Sequence, residues 1–256
     1  MVVETIPQTV GPVYAMAGIL AFAYLWWRGF LSRRRAYPFL AVTAMFGFLI
    51  FAPVAPYQLQ GIVLGEAGPG VPVGAVAFGL GVMLVLAFVF GRMYCGHFCP
   101  VGALQEIASL LPVRKVGRTQ KAAPMAVRGV VFALFLVAGL LYSYNLLGAL
   151  GIRDFFYLVP SVSAALFLVI LALSAVVYRP FCRFVCPFGA LLAVPSSRSR
   201  VRFVRTDLCI ECGACERACP VDEAKRGDAK AECYMCGRCM EVCPVEGALV
   251  YRRPDE

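Results

Sequence analysis

Five apolar runs separated by short polar loops organise the first 178 residues, at 12–27, 37–55, 71–90, 129–148 and 159–178. Their lengths approach the ~20 residues that carry a helix across ~30 Å of hydrocarbon. Past Tyr178 the apolar character fades. Residues 194–205, VPSSRSRVRFVR, read as a basic polar linker, and 206–256 as a separate small domain. The expected fold is an all-α membrane domain over 1–193, with about five transmembrane helices, followed by a small α+β domain.

Loop charge gives this pattern an orientation. Arg28 and the RRR of 33–35 fall in the first loop. Arg92, Arg114, Lys115, Arg118, Lys121 and Arg128 fall in or beside the third, and Arg179 opens the basic tail. The second loop has no basic residue and the fourth only Arg153. Such alternation follows the positive-inside rule. It predicts an N-terminus outside, a cytoplasmic tail and, for a bacterial chain, the inner membrane. The MVVETIPQTV ahead of the first run lacks the positive region of a secretory signal, so this run is expected to remain as a span. Trp26 and Trp27 beside Arg28 suit interface anchors.

Composition agrees, with 61% hydrophobic and 15% charged residues, against about 45–50% and about 25% in soluble domains. The net charge of +9 follows topology and suits anionic lipid. It gives no reason to expect nucleic acid.

The twelve cysteines all fall in motifs. CIECGACERACPV supplies Cys209, Cys212, Cys215 and Cys219; CYMCGRCMEVCPV supplies Cys233, Cys236, Cys239 and Cys243. Both read C-x2-C-x2-C-x3-C-P, the bacterial ferredoxin run, in which the fourth cysteine serves the other cluster. One [4Fe–4S] set is therefore Cys209, Cys212, Cys215 and Cys243, and the other Cys233, Cys236, Cys239 and Cys219. Gly213 and Gly237 allow the tight turns, and Pro220 and Pro244 follow the crossing ligands. Zinc ribbons use paired C-x2–4-C instead. Met240 in CGRCM removes the histidine that a c-type haem needs.

A second pattern repeats 87 residues apart: RMYCGHFCPVGAL at 92–104 and RPFCRFVCPFGAL at 179–191. Each follows an apolar run, so span, outer loop, span and C-x3-C-P form an internal two-helix repeat with both cysteine pairs on the cytoplasmic side. Tyr57, Leu59 and Gly61 align with Tyr144, Leu146 and Gly148 at the same offset. Three readings are open for Cys95, Cys99, Cys182 and Cys186: a third iron–sulfur centre, a thiol or copper(I) site, or small buried side chains that only pack. PVGALQEIASLL, after Cys99, is expected as a short amphipathic helix along the interface. Arg92 and Arg179 are expected to snorkel to the surface or to offset thiolate charge.

In combination these motifs resemble the NapH-type membrane ferredoxins, with MauN and the membrane parts of NosR and CcoG, from Tyr37 to about Val250. The resemblance implies a membrane electron-transfer subunit, a component of a quinol dehydrogenase system. It would relay electrons between the quinone pool or another redox subunit and a soluble redox module. The CcoG likeness implies an alternative, a copper or disulfide reductase working through the C-x3-C-P thiols. The larger relatives' extra domains have no counterpart here.

His97 is the only histidine, so bis-histidine haem within this chain is excluded. It suits an interfacial polar residue, or a ligand or proton carrier. Glu66 and Asp154, with Tyr57, Gln58, Tyr144 and Asn145, are the polar groups of the outer loops. They are read as loop polarity, or as proton acceptors for a quinol. Gly79 and Gly81 lie inside an apolar run and suit helix packing.

Overall fold

In the computed structural model the backbone is described for residues 2–50, 55–65, 72–117 and 121–254, and side chains from residue 10 onward. Glu66 and Arg118 lie outside the described residues. The helices of the first part are α1 (Val2–Trp27), α2 (Arg33–Ile50), α3 (Ala55–Leu64), α4 (Val73–Phe90), α5 (Pro100–Ala108), α6 (Ala122–Tyr142), α7 (Leu146–Ala149), α8 (Ile152–Phe156), α9 (Val162–Leu173) and α10 (Pro187–Ser196). The tail holds β1 (Arg202–Arg205), α11 (Ala214–Ala218), α12 (Arg238–Glu241) and β2 (Leu249–Arg252), with β1 and β2 paired antiparallel.

Among the described residues three helices are long and apolar enough to cross a membrane: α1 over Val10–Trp27, α4 and α6. At 1.5 Å per residue, the 18 residues of α4 reach about 27 Å. Outward-facing apolar side chains such as Phe78 (76% exposed) and Leu141 (74%) have lipid as their natural solvent. α4 ends at Gly91, whose φ of 73° stops the helix.

The second and fifth runs differ from a plain span. α2 and α3 form a pair bent by 42°. α9 has 12 residues, about 18 Å of helix. α9 ends in a tightened turn, with the Ser174, Ala175 and Val176 amides bonding to Leu171, Ala172 and Leu173 O; just beyond it Lys115 Nζ donates to Ala175 O and the Val116 amide to Val176 O at 2.9 Å.

The two C-x3-C-P segments are re-entrant. After α4 the chain makes a π-helical turn, Tyr94–Phe98, then α5; after α9 it makes another, Phe181–Val185, then α10. Each turn runs back into the bundle and each helix returns. Depth follows from α2: Arg33, at its start, pairs with Glu241 of the tail at 2.9 Å, whereas a Cβ on Gly47 would lie 2.6 Å from Pro100 Cβ. Fourteen residues separate Gly47 from Arg33, so the Cys99–Pro100 junction sits about 20 Å from the tail end of the bundle. The surface helix expected after Cys99 is therefore a buried half-helix packed on α2, with Pro100 to Ala103, Gln105 and Glu106 inside.

The stretch expected as a linker, 194–205, is instead structure. It supplies the end of α10, two amides that bond to α4 (Arg200 to Phe88 O, 2.9 Å; Val201 to Val89 O, 2.8 Å) and β1. Phe203 and Tyr251 of the sheet pack against Trp26, so Trp26 is covered by the tail. Basic segments meet the tail at this end, through Arg33 and through Lys121 to Asp228 at 2.8 Å.

Gly47→Ala is expected to destabilise by about 1–3 kcal/mol through overpacking against Pro100 and Phe156. Gly81→Ala, whose Cβ meets nothing within 4 Å, should stay within about 0.5 kcal/mol. Thermal unfolding of the two variants in one detergent checks this; equal loss in both would refute the close packing.

Candidate functional site

The tail brings its cysteines together in two sets. Cys209, Cys212, Cys215 and Cys243 line one hollow, with Pro244. Cys219, Cys233, Cys236 and Cys239 line the other, with Pro220. Gly213 (φ 68°) and Gly237 (φ 74°) are left-handed at the starts of α11 and α12, a conformation glycine adopts without strain. Glu211 and Met235 occupy matching left-handed positions, φ 53° and 54°, so the two runs share one backbone turn. Burial, then the neighbouring Cys219 and Cys236, push the Cys233 thiol up to about 12. Thiolate there requires a cationic partner, which bound iron supplies.

Cys95, Cys99, Cys182 and Cys186 form a third set, each 5–6% exposed and within one buried cluster. They lie within electrostatic range of one another. Both segments are built alike. A π-helical turn carries the first cysteine; the second ends that turn and precedes the proline that opens the next helix. Proline suits this first helical position because its missing N–H has no partner to lose. π-turns concentrate at functional sites. α5 and α10 thus direct their positive ends at the cysteines. The Gly189 amide donates to Cys186 Sγ at 3.3 Å, and Gln105 Nε2 donates to Cys182 Sγ at 3.2 Å.

Around this set lies a buried charge network. Glu106 Oε2 meets Arg179 Nε at 3.2 Å and the Tyr178 hydroxyl at 2.7 Å, while its Oε1 takes Arg238 Nη2 at 2.7 Å. Glu232 takes Arg92 Nη1 at 3.2 Å and Arg128 Nη1 at 2.9 Å. Burial pushes the Glu232 carboxyl up, but Arg92 and Arg128 more than offset this and hold it below its usual range. Each glutamate therefore joins one motif arginine to another element: Arg179 to the tail, and Arg92 to α6. Four guanidinium groups face two carboxylates, a surplus of two positive charges, with Arg238 only partly buried and also beside Cys236 of the tail. Arg92 also keeps Nε and Nη2 buried without a partner, and its charge acts on Cys95 and Cys182. Four thiolates holding an iron–sulfur cluster would be a negative group that such a pocket fits.

Arg92 and Arg179 are fully buried and do not snorkel, because the tail closes over them. Arg179 donates to the carbonyls of Cys95 and Gly96, and Arg92 donates to Ala231 O. His97 is likewise not at the headgroups. It is buried beside Phe22, Trp26 and Phe98, and Thr43 donates to its carbonyl at 2.8 Å.

The outer polar groups serve structure. Tyr57 donates to Leu147 O at 2.8 Å, Gln60 Nε2 donates to Asn145 Oδ1 at 2.8 Å, and Asp154 accepts from Ser161 and Ser163. Tyr144 is exposed. Sequence reasoning missed Glu106, Gln105, Glu232 and Tyr234. Glu106 had a signal, being the only acidic residue between Glu66 and Asp154 in a stretch rich in arginine.

Residues 72–119 and again 160–204 match one 4Fe-4S binding domain family; 203–222 and 233–248 match two further 4Fe-4S binding domain families. The chain is 29% identical to YccM of Escherichia coli over 54% of this chain and 43% of that protein. It is 29% identical to the methylamine utilization ferredoxin-type protein MauN of Methylorubrum extorquens, over 63% and 58%. It is 31% identical to NirI of Paracoccus denitrificans, over 55% and 23%. The chain thus spans less than two thirds of each of these relatives. No solved structure matches. The chain matches 4Fe-4S binding domain families and is similar to the ferredoxin-type protein MauN.

Glu106→Gln leaves buried Arg179 and partly buried Arg238, and Glu232→Gln leaves buried Arg92 and Arg128, without a carboxylate, and each is expected to cost about 3–5 kcal/mol. Glu241→Gln, at the exposed Arg33 pair, should cost no more than about 1 kcal/mol. Unfolding midpoints of the cluster-loaded proteins test the contrast.

Proposed function

We propose that this chain is a membrane-bound iron–sulfur electron-transfer protein with three centres in a row. Cys209, Cys212, Cys215 and Cys243 hold the outermost [4Fe–4S] cluster, and Cys233, Cys236, Cys239 and Cys219 the second. Cys95, Cys99, Cys182 and Cys186 hold a third iron–sulfur centre inside the bundle. When bound, these clusters supply one-electron chemistry at potentials set by charge, hydrogen bonding and burial. The protein contributes orientation and electrostatics.

The observation that carries this reading is the buried charge imbalance around the third set. Bringing unpaired charge out of water costs several kcal/mol per ion. Arg92 and its neighbours are therefore best explained by an anionic centre between them. The sequence of exposure supports the order of the sets. Cys212 is exposed, the second set is half-buried, and the bundle set is covered. Soluble partners meet the first set, and a membrane-side redox partner exchanges electrons with the third. A reductase of copper or disulfides would need its substrate to reach thiols that are 5–6% exposed, and this burial argues against it. The relatives' ferredoxin-type character supports electron transfer. The basic segments at the tail end favour an inner-membrane protein with the tail in the cytoplasm and the N-terminus outside.

Iron and acid-labile sulfide on anaerobically purified protein test the count. The expected result is ~12 iron per chain for three cubanes, or ~10 if the third is [2Fe–2S], falling to ~8 in Cys95→Ser/Cys182→Ser. A value of ~8 in both would remove the third centre. A reporter fused after the tail should be active only in its cytoplasmic form; activity of the periplasmic form would reverse the orientation.

A further inference from the structure

The two tail runs share a backbone turn, yet the residue after the first cysteine has opposite surroundings. In the first run it is Ile210, 65% exposed; in the second it is Tyr234, 1% exposed. Nothing in the ferredoxin pattern calls for burial there. The Tyr234 ring lies between the motif arginines, its centroid 4.6 Å from the guanidinium of Arg92 and 4.8 Å from that of Arg179. Tyr178 meets its edge at 6.1 Å. The main chain is equally close to the first motif, since a Cβ on Gly96 would lie 2.1 Å from the Tyr234 carbonyl oxygen. The Tyr234 hydroxyl has no hydrogen-bond partner, so the ring and the carbonyl make the junction. Met235, next in the chain, reaches Gly91 at the end of α4, where a Cβ would lie 3.6 Å from its Sδ.

We propose that Tyr234 is a positioning residue that, beside the Glu106 and Glu232 pairs, sets the distance between tail and bundle. Clamped between Arg92 and Arg179 and seated on Gly96, it fixes the separation of the Cys219/Cys233/Cys236/Cys239 set from the Cys95/Cys99/Cys182/Cys186 set. That separation governs the exchange of one electron from a reduced centre in one set to an oxidised centre in the other. No bond is made or broken, and no proton moves. The ring is not itself oxidised, because two adjacent guanidinium charges oppose removal of an electron from it. Cation–π contacts of this kind are strongest when desolvated, and this pair is buried. The inference rests on iron–sulfur centres occupying both sets.

The test uses full-length, anaerobically purified protein and the variants Tyr234→Leu and Tyr234→Phe. After flash reduction of the tail by a low-potential photoreductant, appearance of the reduced bundle centre gives the exchange rate. Tyr234→Leu is expected to slow exchange on the order of ten-fold or more, as small misplacements of reacting groups do, with iron content and midpoint potentials unchanged. Tyr234→Phe, which keeps the clamped ring, should stay within about two-fold of the parent. A readout separate from the rate is the magnetic interaction between the two centres in the fully reduced EPR spectrum. It should weaken in Tyr234→Leu and persist in Tyr234→Phe. Should Tyr234→Leu lose its clusters, Gly96→Ala displaces the carbonyl with the ring clamp retained, and it should also slow exchange. Parental exchange in a cluster-loaded Tyr234→Leu or Gly96→Ala protein would overturn the proposal, as would equal slowing in the Leu and Phe variants. An iron count of ~8 in the parent would overturn the third centre instead, so the two failures are distinct.

Discussion

Two buried carboxylates, Glu106 and Glu232, hold this molecule in its arrangement. Each lies between two arginines, and in each pair one arginine comes from a C-x3-C-P segment. The crossing is reciprocal. Glu106, on the half-helix after the first motif, binds the second motif's Arg179 and the tail's Arg238. Glu232, in the tail, binds the first motif's Arg92 and Arg128 of α6. Neither motif can keep its arginine buried without the other repeat or the tail. Ion pairs of this kind are a weak source of net stability, because desolvation offsets much of the attraction. Their effect is to favour one assembly: any arrangement that separates the tail from the bundle leaves buried charge without a partner.

The re-entrant turns follow from the same constraint. A regular helix continued through Cys95 would satisfy its own backbone and leave no carbonyls free for guanidinium groups. By making π-helical turns the chain exposes the Cys95 and Gly96 carbonyls, and Arg179 takes both. Cys99 and Cys186 then end their turns where a helix begins, so α5 and α10 face the thiols with amides that have no partner within the helix and a positive dipole end, and Gly189 donates to Cys186 Sγ. Non-helical backbone at membrane depth is tolerated only where protein covers it. Here α2, α3, α4 and α6 supply the cover.

Much of this could be read from residues alone, and the rest could not for physical reasons. The cysteine runs announce their chemistry because three thiols at C-x2-C-x2-C spacing have few other uses. In the structure Cys209, Cys212, Cys215 and Cys243 line one hollow and Cys219, Cys233, Cys236 and Cys239 another. Apolar runs reveal which segments leave water, but not whether a helix persists. α9 ends at Leu173, and the chain just beyond it is held by Lys115 and Val116, distant in sequence, at Ala175 O and Val176 O. Arg92 and Arg179 were legible as cations near thiols. Their burial was not, since it depends on Ala231, Glu232 and Tyr234 folding back over them from some 50 to 140 residues away. For the same reason the basic stretch 194–205 looks like a tether until its strand finds β2 and its amides find α4.

The position of the third cysteine set has a consequence for the working of the chain. At a membrane edge, a redox site needs only to be exposed. On the proposed reading, with Cys99–Pro100 about 20 Å along α2 and all four thiols 5–6% exposed, the tail that packs on Gly96 is the covered approach to the set. The tail's asymmetry matches that geometry. Its first run leaves Cys212 and Ile210 in solvent, while its second packs Tyr234 against both motifs. A ferredoxin unit whose two halves share a backbone turn thus has two different faces, one open to solvent, the other bound to the bundle. Pairing the open run with a water-soluble partner and the buried run with the membrane interior requires no motion of the tail, and the glutamate network opposes such motion. On the proposed function, the electron path is a property of the resting fold, and no domain movement is needed to complete it.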